Sequence, residues 1–308
     1  MDKPILITGA TGFVGFHVAR ALTRAGKPFR ALVRPASNTS ALAALGADLT
    51  QGDLLDPASL SRACDGCGAV IHLGGAADVA DLEVNRRVNV DGTANLAAAC
   101  DQAGVGRLLF FSTNCAVREL QDAYGQTKLQ AEQLLREFKL DLRIFRPAMM
   151  YGEGSREFAT FVHTVARTPL VPVPGDGEHL LRPIFIDDAV AAALAAVELD
   201  GLGGRVYDII GPEPITLNAL IQLTARHLGK RRRPLHIPLK LIFWGAVALG
   251  KVWRHPVVTP DQVLGFAQDT TGDPGSLTTD LGVTPRGMEQ GMEALFTRTD
   301  WRRFFDQV

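Results

Sequence analysis

Over the first two-thirds of the chain, short apolar runs alternate with amphipathic stretches, a pattern that predicts a parallel sheet covered by helices. Strands are predicted at Ile5–Thr8, Phe29–Val33, Asp48–Thr50, Ala69–Leu73, Leu108–Ser112 and Leu142–Phe145. Several of these runs are continuous rather than alternating, as strands buried on both faces should be. Helical spacing falls at Val14–Arg24, Asn85–Ala103 and Tyr124–Phe138. The Asn85–Ala103 stretch is Ala-rich, and Ala carries little entropic penalty in a helix.

Beyond Arg146-Pro147 the texture changes. Pro and Gly punctuate Pro169 to Pro183, a helix is predicted from Asp187 to Leu199, and a late strand at Arg205–Ile210 is expected to rejoin the sheet. The expected fold is therefore α/β, a doubly wound parallel sheet with a smaller, interwoven C-terminal part. Residues 1–147 would form a dinucleotide-binding domain to which 182–211 return. Residues 148–181 and 212–308 would form the substrate-binding part.

Composition narrows the class. A hydrophobic fraction of 46% in 308 residues supports a large packed core, which excludes a mainly disordered chain. Lys and Arg (32) nearly balance Asp and Glu (33), which argues against a nucleic-acid-coating protein. The basic run Lys230 to Arg233 reads as a solvated helix end. Four cysteines, including Cys64 and Cys67, do not make a disulfide framework, and His72, His163 and His179 lack ligand-like spacing, so no metal is assigned. A strand begins four residues from the N-terminus, and the apolar stretch Leu241 to Gly250 is half of the roughly 20 residues a membrane span needs. Hence no integral membrane segment is expected, and the expected compartment is the cytoplasm.

The first strand runs directly into Thr8-Gly9-Ala10-Thr11-Gly12-Phe13-Val14-Gly15, which opens the first helix. Glycines there permit a tight turn and close approach of backbone to a pyrophosphate, whose charge the helix N-terminus stabilises. About 20 residues later a carboxylate would take the ribose 2′-hydroxyl of NAD. The stretch Lys27–Ser40 contains no Asp or Glu, and Arg34 follows the second strand. A guanidinium pairs a 2′-phosphate bidentately, so NADP is expected in preference to NAD.

Tyr124 and Lys128 stand four residues apart at a predicted helix start, on one face. A free tyrosine has a pKa near about 10, and an adjacent cation favours the phenolate, which suits acid–base work. The preceding strand ends at Ser112-Thr113, where a hydroxyl would hold a substrate oxygen.

The chain resembles the extended short-chain dehydrogenase/reductase superfamily, in its NAD(P)-dependent epimerase/dehydratase branch. The motifs occur in order: the glycine turn, Gly52-Asp53-Leu54, Val70-Ile71-His72-Leu73, Asn89-Val90-Asp91-Gly92-Thr93, Ser112-Thr113, Tyr124 with Lys128, and Arg146-Pro147 with Tyr151-Gly152. The resemblance implies a Rossmann-type fold in which Gly9, Thr11, Gly12, Phe13, Val14 and Gly15 surround the pyrophosphate. Arg34 matches members that favour NADP. Asp53 and Leu54 would flank the adenine, and Leu73, Gly74 and Ala76 would run beneath the cofactor, with Asn89 beside it. Thr113, Tyr124 and Lys128 would be catalytic, the last also binding the nicotinamide ribose, and Pro147 would meet the carboxamide. Pairing of two copies through Asn85–Ala103 and Tyr124–Phe138 is implied as well.

Two departures resemble atypical members, including relatives of an accessory subunit of respiratory complex I. Only eleven residues separate Thr113 from Tyr124, so a long substrate loop is missing, and Arg182 is shifted by one from the family's arginine. The apolar segment from Leu239 to Trp253 reads as core helix, wall for an apolar substrate, or membrane contact. The expected activity is hydride transfer at a secondary alcohol or ketone of a small substrate, apolar or sugar-like. The alternative is a catalytically silent cofactor-binding protein with structural or regulatory duties.

Overall fold

The computed structural model describes residues 3–77, 81–242, 268–299 and 301. The elements run β1 (Ile5–Thr8), α1 (Phe13–Arg24), β2 (Phe29–Val33), α2 (Ser40–Ala44), β3 (Asp48–Gln51), α3 (Pro57–Cys64) and β4 (Ala69–His72). Then come α4 (Leu82–Arg86), a π-helical turn (Arg87–Asp91), α5 (Gly92–Gln102), β5 (Arg107–Phe111), a 3₁₀ turn (Asn114–Val117), α6 (Ala123–Leu135) and β6 (Asp141–Pro147). The later elements are β7 (Met150–Tyr151), α7 (Arg156–Arg167), β8 (Leu170–Pro174), β9 (Leu180–Leu181), β10 (Ile184–Phe185), α8 (Ile186–Glu198) and β11 (Val206–Ile209). They finish with β12 (Ile215–Thr216), α9 (Leu217–His227), β13 (Arg233–Ile237), α10 (Gly275–Thr279) and α11 (Met288–Arg298).

Seven strands form one sheet in the order β3-β2-β1-β4-β5-β6-β11, every pair parallel. This is the Rossmann-type, doubly wound arrangement, and it reverses direction between β1 and β4. A crevice opens at the carboxyl ends of the strands at such a switch point. Burial on both faces explains the continuous apolar strands: Ile5 and Ile7 face one core with α1 and α8, whereas Leu6 and Val70 face another with α3, α5 and α6. The late strand at 205–210 does return, pairing with β6 as the sheet's edge.

Two expectations need refinement. The helix expected over Asn85–Ala103 is helical without a break from Leu82 to Gln102, but it carries a π-helical turn at Arg87–Asp91, which places Asn89 where its carboxamide meets the backbone of Ala76. The basic run is not simply a solvated helix end. Lys230 Nζ and Arg232 Nη2 each donate to the Ala166 carbonyl at 2.7 Å, and Arg232 Nε donates to Val165, satisfying carbonyls that the end of α7 leaves open. Lys230, Arg231 and Arg233 are nonetheless exposed, as a solvated helix end should be.

A third cluster, Tyr151, Phe158, Phe185, Leu220 and Met292 among others, joins α7, α9 and α11 beside the sheet. Most of the apolar segment 239–253 lies outside the described residues.

Candidate active site

A cavity of about 650 Å³ opens at the carboxyl ends of β1, β4, β5 and β6. Gly9, Gly12, Phe13, Val14, Gly15, Leu73, Thr113, Tyr124, Lys128 and Pro147 line it, all of them marked in the sequence. The turn after β1 has no room for side chains at Gly9 and Gly15. Gly9 adopts φ +72°, and a Cβ there would lie 2.8 Å from the Gly74 nitrogen. A Cβ on Gly15 would lie 2.2 Å from the Gly9 carbonyl oxygen. α1 begins at Gly12 with no side-chain cap, so its first amides face the cavity region without an internal acceptor. A cradle that a Cβ would fill, at a helix N-terminus, fits a dinucleotide pyrophosphate.

The floor is held from behind. Asn89 is buried; its Oδ1 accepts from the Ala76 amide at 2.8 Å, and its Nδ2 donates to the Ala76 carbonyl and to Thr127 Oγ1, both at 3.1 Å. Asn89 therefore positions the Leu73–Ala76 strand end and does not itself line the cavity. His72 is a second strut, with Nδ1 2.6 Å from Thr8 Oγ1 and Nε2 3.0 Å from Thr93 Oγ1. Burial, with the charge of Lys128 adding to it, pulls its pKa down to about 3. A histidine so placed stays neutral and structural.

Tyr124 and Lys128 reach the cavity from α6, whose start is fixed by Asp122 accepting the Gly125 amide at 2.7 Å. Lys128 is only 2% exposed, its Nζ 4.2 Å from the centre of the Phe110 ring. Burial lowers its pKa to about 7, against an upward pull from Glu132 one turn further on. Glu132 is itself fully buried, taking Arg146 bidentately at 2.9 and 2.6 Å. Burial pushes that carboxyl up, but Arg146, with Ser112 and Arg136 beside it, outweighs burial and holds the group below its ordinary value. Ser112 Oγ lies near enough to support that charge, yet its geometry is too poor for a hydrogen bond, so it stands buried and unpaired at the cavity wall. Thr113 caps the 3₁₀ turn, its Oγ1 accepting from Cys115 N at 3.2 Å.

Other marked residues lie apart. Thr11 lines a smaller adjoining cavity with His17, Arg20 and Glu153. Gly74 and Ala76 belong to the floor's backbone, and Leu54 packs against Gly74 and Gly92. Asp53 turns its carboxylate to the Leu55 amide. Arg34 is exposed just past the carboxyl end of β2. Arg182 is turned away, donating to the Gly211 and Pro212 carbonyls.

Sequence reasoning missed Phe111, Met149, Met150, Ser155, Arg156 and Glu157, which complete the wall. No periodic pattern marks them. Glu132 was also missed, although the step Tyr124, Lys128, Glu132 along one helix face is a usable signal.

Comparison with known proteins agrees with this geometry. A family model described as "NAD dependent epimerase/dehydratase family" matches residues 5–209. A ceramide reductase of Caulobacter vibrioides is 30% identical over 97% of this chain and 94% of its own length. The mitochondrial NADH dehydrogenase [ubiquinone] 1 alpha subcomplex subunit 9 of Dictyostelium discoideum is 25% identical over 98% of this chain and 86% of its own. Among solved structures, MoeE5 in complex with UDP-glucuronic acid and NAD superposes with a TM-score of 0.75 at 25% identity, covering 97% of this chain and 99% of that one.

Proposed function

Since this chain belongs to the NAD dependent epimerase/dehydratase family, we propose that it is a reductase that interconverts a ketone and a secondary alcohol on a lipid-like substrate. The observation carrying this reading is the convergence, in one cavity, of the glycine cradle, Thr113, Tyr124 and Lys128 with the apolar side chains Phe13, Phe111, Met149 and Met150. The likeness to a ceramide reductase along nearly the whole chain supports a lipid-like ketone over a sugar nucleotide. So do the short Thr113–Tyr124 connection and the engagement of Arg182 by the Gly211 and Pro212 carbonyls rather than by the cavity.

In this reading, residues 1–147 with 182–211 hold the dinucleotide, and 148–181 with 212–308 wall in the substrate. Gly9, Gly12 and Gly15 and the first amides of α1 take the pyrophosphate. Asp53 and Leu54 flank the adenine, Leu73–Ala76 run beneath, Lys128 meets the nicotinamide ribose and Pro147 the carboxamide. When bound, the nicotinamide supplies or accepts the hydride at the substrate carbon. Tyr124 donates a proton to the ketone oxygen, and Thr113 holds that oxygen in place. When protonated, Lys128 sets a positive charge beside the phenol and so favours its ionised form. Arg34 pairs the 2′-phosphate, which makes NADP the preferred cofactor.

The test is oxidation of NADPH by the purified full chain with long-chain ketones, alongside calorimetry with uridine diphosphate-sugars. Turnover with a ketone is expected. Tight binding of a uridine diphosphate-sugar would move the reading to an epimerase. Cofactor binding with neither turnover nor substrate affinity would leave the silent, structural role.

A further inference from the structure

In the two-stranded ribbon of β8 and β13, β8 alternates between buried and exposed positions. Val171 and Val173 face inward, packing with Val165, Ile221 and Ala225, whereas Leu170 and Pro172 face out. The parallel register sets Arg233 beside Leu170 and Leu235 beside Pro172, so these four share the outer face. Leu170 is 51% and Leu235 47% exposed, and Leu241, one turn past β13, is 65% exposed. Three large aliphatic side chains at such exposure in one neighbourhood ask for a partner.

Charge says which kind. Residues 158–175 and 228–242 contain no Asp or Glu, yet they carry Arg167, Lys230, Arg231, Arg232, Arg233 and Lys240. Lys230 and Arg232 are spent on the end of α7. Arg167, Arg231, Arg233 and Lys240 are exposed and make no ion pair among the described residues. The acidic groups beyond the far end of β8, Asp176 and Glu178, are engaged by the Glu178 amide and by Asn218 Nδ2. Cations ringing exposed leucines complement a surface that is anionic outside and apolar beneath.

We propose that the outer face of the β8–β13 ribbon, with Arg167, Arg231, Arg233, Lys240, Leu170, Leu235 and Leu241, is a docking surface for an anionic lipid bilayer. The leucines enter the headgroup boundary while the four cations meet lipid phosphates. This surface stands at the opposite end of α7 from Arg156, which lines the cavity, about 16 Å away at roughly 1.5 Å per residue. Docking is a property of the surface and does not depend on how the reaction is read.

Vesicle co-sedimentation of the full chain, without cofactor, tests it. Vesicles of phosphatidylcholine with about 30 mol% phosphatidylglycerol should bind at least about 10-fold more protein than phosphatidylcholine alone, and raising salt to about 0.5 M should abolish the difference. Arg231→Gln with Arg233→Gln should weaken binding about 25-fold, roughly 5-fold per cation. Leu235→Gln with Leu241→Gln should weaken it with the salt dependence retained. Melting curves check that each variant folds, and Arg167→Gln with Lys240→Gln is the second cation pair should the first not. Equal binding to neutral vesicles, no binding at all, or cation variants that bind like wild type would overturn the proposal. Self-association without vesicles that Leu235→Gln abolishes would also overturn it, assigning the face to a second copy.

Discussion

The two ends of β5 and β6 differ in how completely they answer buried charge. At their amino ends, Arg107 and Arg143 share the Asp141 carboxylate, Arg107 adds Asp200 at 2.6 Å, and both donate to carbonyls at the end of α8, those of Val197 and Ala196. Every charge there is answered by fixed partners, and cations suit a helix C-terminus. At the carboxyl ends of the same strands Arg146 answers Glu132, but Lys128 lies buried against a phenyl ring with no ion pair among the described residues, and Ser112 Oγ is unpaired. A buried group lacking partners is expensive and persists where something else completes it. The amino end is built for stability, and the carboxyl end is built for a ligand.

The sharpest way to break that contrast is Tyr124→Phe. It should lower turnover by about 10² to 10⁴, the usual worth of acid–base catalysis, and leave cofactor affinity nearly intact; steady-state kinetics and fluorescence titration measure the two. At the other end, Arg143→Met should lower stability by about 1–3 kcal/mol, because it takes one of two cations from the Asp141 carboxylate and removes the donor to the Ala196 carbonyl. Its kcat per folded molecule, from denaturant melts paired with kinetics, should match wild type. A loss of kcat without a loss of stability would dissolve the distinction.

Arg34→Ala comes next. One charge-assisted contact is worth roughly 1.5–3 kcal/mol. The variant should therefore lose about 10- to 150-fold in NADP affinity while NAD affinity holds, read from the two dissociation constants. Equal NAD and NADP affinities in the wild type would remove its basis.

The smallest effect is the most diagnostic. Lys128 has its folded pKa lowered to about 7 from 10.5. The unfolded chain therefore binds more protons across that interval, and stability rises with pH through it. Below about 7 the burial penalty is fully present. Lys128→Met should then raise the melting temperature of the cofactor-free protein by a few degrees at pH 6, and the advantage should fade as pH approaches 10. A difference independent of pH would mean that the buried ammonium is already compensated.

The sheet was legible because its strands are two-sided apolar runs and because the glycine turn sits between a strand and a helix. Boundaries moved by one or two residues, as for β5, expected at Leu108–Ser112 and found at Arg107–Phe111. The cradle and the Tyr124–Lys128 face were legible for a similar reason: turn geometry and helical spacing are local. The rest of the wall was not. Met149, Met150, Arg156 and Glu157 reach the cavity only because β7 pairs with β10, and α7 then starts at the rim under a Ser155 cap. That pairing joins residues more than thirty positions apart, and no short-range pattern encodes it. The basic run was legible as an exposed helix end, but its contacts were not, since the carbonyls that Lys230 and Arg232 meet belong to another helix.

The π-helical turn at Arg87–Asp91 makes α4 and α5 one rod with a phase slip. Its extra residue is what lets the Asn89 carboxamide clamp Ala76 while Leu96 and Cys100, further along, stay in the core against α3. Deleting Val90 would close the slip and give a regular α-helix with as much hydrogen bonding as before. Every residue ahead of it would then rotate by about 100° about the axis and shift about 1.5 Å. Asn89 would leave Ala76, and the cofactor floor would lose its clamp although helix content had not fallen. Circular dichroism would look unchanged; cofactor affinity would not. Length in this stretch is thus under a constraint that composition is not, and a one-residue gap here is far more disruptive than most single substitutions.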